Sequence, residues 1–164
     1  MSISARFRRA VPTLVLASVV ASLATAIPPA AAATPTPQEQ VEAREKLMKT
    51  MGGGMKALTQ FLKGEAGGPA EVKKAASDIA GVAAHDPMGV FPKGTALGVG
   101  DSAAKPALWD NWPKATGLWG DLKTASATLV QAADRGDKAA VAAATQAVGK
   151  VCQSCHEEFR QKKD

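Results

Sequence analysis

Near the end of the 164-residue chain stands the run Cys152-Gln153-Ser154-Cys155-His156. Two thiols three positions apart, followed at once by an imidazole, form the Cys-x-x-Cys-His arrangement of covalent haem attachment. The thiols add across the porphyrin vinyl groups as thioethers, and the imidazole becomes an axial ligand of the iron. On a helix, residues three and four apart share a face, so Cys152, Cys155 and His156 would all project to one side. Both cysteines of the chain belong to this run, which leaves none for a disulfide elsewhere.

Three other chemistries use the same residue types. A structural zinc site needs about four ligands, and the only other histidine is His85. A thioredoxin-like dithiol places Cys-x-x-Cys in a βαβ context, whereas an Ala-rich segment without strand alternation surrounds this one. A disulfide within the run is the third. Haem attachment accounts for all three side chains at once.

The elements that must position this run read as helices. Thr36 and Pro37 form a helix start, with threonine as N-cap and proline at the first helical position. A first helix over residues 38–63 follows, with Val41, Leu47, Met48, Met51, Met55, Leu58, Phe61 and Leu62 at three- and four-residue steps. Gly52-Gly53-Gly54 interrupts it at a cost of about 1 kcal/mol per glycine. That cost suits a place where a helix or a porphyrin edge comes close to the backbone. A second helix spans 69–84, ended by His85-Asp86-Pro87. A long Gly/Pro-rich stretch reaches residue 105, and such loops usually cover or contact something. A turn over 106–110 leads to a third helix at 112–135, carrying Trp112, Leu118, Trp119, Leu122 and Leu129. After Gly136-Asp137 a fourth helix covers 138–162 and bears the cysteine run. Four amphipathic segments with no β alternation predict an all-α, antiparallel up-down four-helix bundle, with the covalently bound haem near the C-terminal helix.

The first residues carry an address. Arg6, Arg8 and Arg9 precede an uncharged stretch from Ala10 to Ile27, and small residues run to Ala33. This pattern predicts a signal peptide over 1–33, cleaved near Ala33, and export to the periplasm. Pro12 interrupts a stretch that would otherwise approach the length of a span, so no stable membrane anchor is expected. Without residues 1–33 the chain retains 17 basic and 15 acidic side chains. The near balance excludes nucleic acid as a partner. Residues 34–164 suit one domain.

On these residues the chain resembles the class II c-type cytochromes, the family of cytochrome c-prime and its low-spin relatives. The resemblance extends over residues 38–163. It rests on the haem run in the last helix, on Arg44-Glu45-Lys46-Leu47-Met48-Lys49, and on the loop Phe91-Pro92-Lys93-Gly94-Thr95. Lys105-Pro106-Ala107-Leu108-Trp109 is similar too, with Leu108 where the family has isoleucine, as is Cys155-His156-Glu157-Glu158-Phe159-Arg160. It implies one haem c, with His156 as proximal iron ligand and Cys152 and Cys155 as thioether anchors. Met48 would lie nearest the open face of the iron, and Arg44 would meet a propionate. Arg160, one turn after His156, would meet a propionate or shape the proximal pocket. The resemblance also implies redox partner proteins and a tendency to form a homodimer through the first two helices.

Function then turns on Met48. A thioether bound opposite histidine raises the potential and suits electron transfer. Because the glycine run after Met48 looks like the low-spin members, the expectation is a periplasmic electron carrier with Met48 as distal ligand. The alternative is a five-coordinate, high-spin protein that binds nitric oxide or carbon monoxide, with Met48 only filling the distal face. Met51, Met55 and His85 are weaker candidates for the sixth position. An enzyme is not expected, because the apolar first helix lacks the distal acid–base pair that haem enzymes use.

Overall fold

The computed structural model describes residues 34–162, and the expected signal peptide lies outside them. Its helices are α1 (Pro37–Lys63), α2 (Pro69–Ala83), α3 (Pro87–Val90), α4 (Ala107–Asp110), α5 (Trp112–Arg135) and α6 (Lys138–Phe159). The four long ones form the antiparallel bundle: α1 packs on α2 and α6, and α5 on α2 and α6. Among the described residues the only β pairing is an isolated bridge between Ala104 and Arg160. No described helix is long and apolar enough to cross a membrane.

Local chemistry sets the helix ends. The Thr36 hydroxyl accepts from the Glu39 N–H, and the Glu39 carboxylate accepts from the Thr36 N–H at 2.7 Å, a reciprocal box that starts α1. The bond from the Thr36 N–H, followed by one that the Thr36 hydroxyl donates at 2.8 Å, holds the Glu39 carboxyl below its ordinary pKa. Gly64, at φ 75°, closes α1 in the left-handed region where glycine is free of strain. Asp137 starts α6 by accepting from the Ala140 N–H at 3.0 Å.

Three boundaries differ from the periodicity. The long loop contains the one-turn helix α3, and the turn at 106–110 contains the one-turn helix α4. The last helix ends at Phe159 rather than at 162, because Arg160 turns extended at φ −110° and ψ 129°. That switch lets the Gln161 N–H donate to the Ala103 carbonyl at 2.7 Å and the Lys105 N–H to the Phe159 carbonyl at 2.8 Å. Tertiary backbone pairing outweighs a further helical turn.

The core joins Met51 and Leu58 of α1, Val72, Ala76 and Ile79 of α2, Trp119, Leu122 and Leu129 of α5, and Val141 and Val148 of α6. Leu47, Met48, Met55, Phe61 and Leu62 pack against it while half-buried. Of the three adjacent glycines, only Gly54 packs against a neighbouring helix. A Cβ there would lie 3.0 Å from Ile79 Cγ1 and 3.1 Å from the Ala75 carbonyl oxygen of α2. At Gly53 a Cβ would meet nothing within 4 Å. Two opposite effects are therefore expected in urea denaturation. Gly54→Ala should lose about 1–3 kcal/mol through overpacking against α2 backbone. Gly53→Ala should gain up to ~1 kcal/mol of helix propensity. Equal effects at the two positions would contradict the close helix crossing.

Candidate functional site

Between α1, α5 and α6 lies a cavity of about 440 Å³, within the roughly 300–1,000 Å³ typical of ligand pockets. One wall is α6, from which Val151, Cys152, Cys155, His156 and Phe159 face it, with Arg160 just beyond. The α1 side contributes Val41, Arg44, Glu45, Met48, Lys49, Met51 and Gly52. Leu118, Trp119 and Leu122 of α5, together with Phe91 and residues 101–104 of the loop, complete the walls. All six residues singled out in the sequence, Arg44, Met48, Cys152, Cys155, His156 and Arg160, meet around this one space.

The remaining iron-ligand candidates separate. Met51 lines the cavity but is buried in the core. Met55 points elsewhere, against Gly149 of α6. His85 is exposed at the end of α2 and outside the cavity wall, where its carbonyl accepts the Trp119 indole N–H at 3.0 Å.

Helical spacing places the two thiols and the imidazole along one flank of α6, as the sequence predicts. Burial, followed by the neighbouring Cys152 and Glu158, pushes the Cys155 thiol up to about 11. Burial raises Cys152 as well. Both are therefore neutral thiols at physiological pH. His156 is accessible from the open side, yet its neighbours strip part of its hydration. That desolvation, and then the Arg160 charge, lower its pKa. The imidazole is thus neutral at pH 7 and keeps a lone pair for a metal. Among the described residues no three His, Cys, Asp or Glu side chains gather as a metal cage. The zinc alternative lacks its ligands.

Arg44 is the buried charged side chain of the site. It is only 6% exposed, and its guanidinium makes three buried hydrogen bonds. Nη1 donates to Thr95 Oγ1 at 2.7 Å, while Nη2 donates to the Thr95 carbonyl and to Ser102 Oγ, each at 2.9 Å. The Phe91 ring lies 5.3 Å from the guanidinium carbon. Burial lowers the Arg44 pKa, though an arginine remains charged. Among the described residues it has no carboxylate in ion-pair range. A buried cation at a cavity wall, with Glu45 acting on it only from beyond ion-pair range, suits a ligand that brings its own negative group. Arg160 lines the same cavity at its exposed end.

A neutral imidazole, two thiols on its helix face, apolar walls and an unpaired cation fit a haem with its propionates. A family model described as Cytochrome C' matches residues 39–160. The chain belongs to the cytochrome c' family. It is 40% identical over 124 residues to cytochrome c-556 of Agrobacterium tumefaciens (strain B2A), covering 76% of this chain and 98% of that one. The crystal structure of cytochrome c' from Thermochromatium tepidum matches with a TM-score of 0.74 and 32% identity, over 79% of this chain and all of that one. A nitric oxide complex of a cytochrome c' variant from Alcaligenes xylosoxidans matches with a TM-score of 0.70 and 26% identity, over 80% and 100%. Cytochromes c' carry one covalently bound haem c, and the Cys152–Cys155 pair agrees with that cofactor.

These findings alter the expectation for Met48. Family membership and solved neighbours favour cytochrome c' over the low-spin relatives. Within the glycine run the tight helix contact is Gly54 against α2, while Gly52 lines the cavity. Met48 is half-buried and packs on the core, as a gap-filling methionine does.

Sequence reasoning passed over Thr95 and Ser102 as partners of Arg44. They lie 51 and 58 positions from it. The signal was the loop Phe91-Pro92-Lys93-Gly94-Thr95, noticed as a block without a contact assigned to it.

Proposed function

We propose that this cytochrome c' family member is a periplasmic haem protein with an open distal face, able to take a diatomic gas and to exchange electrons with redox partner proteins. Haem c supplies a one-electron iron couple and, where the sixth position is free, a site for nitric oxide or carbon monoxide. Cys152 and Cys155 would anchor the group to α6, and the imidazole of His156 would hold its iron. Arg44 offers two N–H groups beyond the three already bonded, enough to meet a propionate.

The observation that carries the open-face reading is the α1 wall of the cavity that His156 also lines. Val41, Met48, Met51 and Gly52 make up its apolar part, and Glu45 and Lys49, ion-paired to each other at 3.1 Å, also line it. Met48 excludes water there and limits what can enter. Of the α1 cations at the cavity, Arg44 is engaged by Thr95 and Ser102, and Lys49 by Glu45. The nitric oxide complex of the Alcaligenes xylosoxidans relative supports gas binding on this fold. An exported chain cleaved near Ala33 fits the attachment chemistry. A homodimer through α1 and α2 is part of the same reading, and size-exclusion chromatography of the holoprotein tests it.

The deciding experiment is an absorption spectrum of the reduced holoprotein with and without carbon monoxide. A broad high-spin spectrum that changes promptly on adding the gas is expected. A sharp low-spin α band that ignores carbon monoxide would show the sixth position already filled.

A further inference from the structure

The guanidinium of Arg44 is held by a small machine of hydroxyls. Thr95 is fully buried at 0% exposure. Its Oγ1 accepts from Arg44 Nη1 at 2.7 Å and donates to the Pro92 carbonyl at 2.8 Å. Ser102 Oγ accepts from Arg44 Nη2 at 2.9 Å and donates to the Thr95 carbonyl at 2.7 Å. Each hydroxyl proton is thus committed to a backbone carbonyl, which turns an oxygen lone pair toward the cation. The Thr95 carbonyl itself accepts the other Nη2 proton. This fork of acceptors matches a planar guanidinium and would not match the point charge of a lysine.

The same loop runs on to the other side of the cavity. Ala103 and Lys105 bond to Gln161 and Phe159 through their backbones, and Lys105 Nζ lies 3.4 Å from the Glu157 and Glu158 carbonyls. The segment from 91 to 105 therefore fastens a charge on α1 to the end of the helix that carries His156.

We propose that Thr95 and Ser102 are positioning residues that set the electrostatics of the haem pocket by holding Arg44 at its wall. The inference rests on the haem reading above. An oxidised haem carries one more positive charge than a reduced one. A fixed cation beside it disfavours oxidation, and more strongly in a partly desolvated site than in water. Releasing Arg44 to solvent weakens that effect and lowers the reduction potential.

The test is a redox titration of holoprotein variants. Thr95→Val keeps the side-chain shape but removes the hydroxyl, and its potential should fall toward that of Arg44→Gln. Thr95→Ser keeps the hydroxyl and should return the wild-type potential. In the Arg44→Gln background, Thr95→Val should add no further shift, because its effect passes through the guanidinium. Ser102→Ala should behave as Thr95→Val does, and it serves as the second variant if valine at 95 does not fold. Urea denaturation of the same set separates stability from potential. A folded Thr95→Val or Ser102→Ala protein with unchanged potential overturns the proposal, as does a shift that adds fully to that of Arg44→Gln. A wild-type chain without covalent haem overturns the haem reading along with this one, a result distinct from a haem protein whose potential ignores Thr95.

Discussion

Cys152→Ala together with Cys155→Ala is expected to leave no haem on the denatured polypeptide, seen as complete loss of haem stain at the position of the chain on a gel. Both thiols face the cavity from α6, and the chain has no other cysteine to substitute for them. The effect is all or none for covalent attachment because no non-covalent bond survives denaturation. His156→Ala removes the axial imidazole while leaving both thiols in place, and haem retention should fall with it. The holoprotein should also melt higher than the unattached chain, since a group bound only by the folded state adds its binding free energy to stability. Persistent staining of the double variant would place the attachment elsewhere.

Met48→Ala is expected to raise the carbon monoxide affinity of the ferrous protein by roughly 10- to 100-fold, equivalent to about 1.4–2.8 kcal/mol. Met48 fills part of the distal wall and packs on the core. A ligand entering there must displace a flexible thioether from its contacts, and alanine removes that cost. The spectrum should stay high-spin throughout. Loss of the buried contacts should also destabilise the fold, within the ~2–5 kcal/mol range of core methionine truncations and toward its lower end for a half-buried side chain. Carbon monoxide titration and urea denaturation of one preparation read both effects. A change from low-spin to high-spin on this substitution would instead identify Met48 as an iron ligand.

Helix existence was legible because four long apolar stripes at a period of 3.6 leave few alternatives, and because Thr36, Gly64, Gly136 and Asp137 mark the ends by local chemistry. The end of α6 was not legible. Arg160 leaves the helix for a partner at Ala104, more than fifty positions away, and no local propensity encodes that choice. The glycine run shows the same limit. Three adjacent glycines carry the same local signal, yet only Gly54 faces a neighbouring helix. Which one does depends on where α2 crosses α1.

The amino-acid order alone determined the anchor chemistry. Cys152, Cys155 and His156 are close in sequence, so helical geometry suffices to bring them to one face. It also determined the bundle class, through periodicity. Tertiary structure decided the other side of the site. Only the packing of α1 against α6 brings Met48 to the cavity that His156 lines and turns Met55 toward Gly149. Only the path of the 91–105 segment supplies Arg44 with Thr95 and Ser102, which hold it as a buried cation. The physical reason is common to both. Contacts within one helical turn follow from the backbone repeat, whereas contacts across fifty residues exist only once the core has placed the helices.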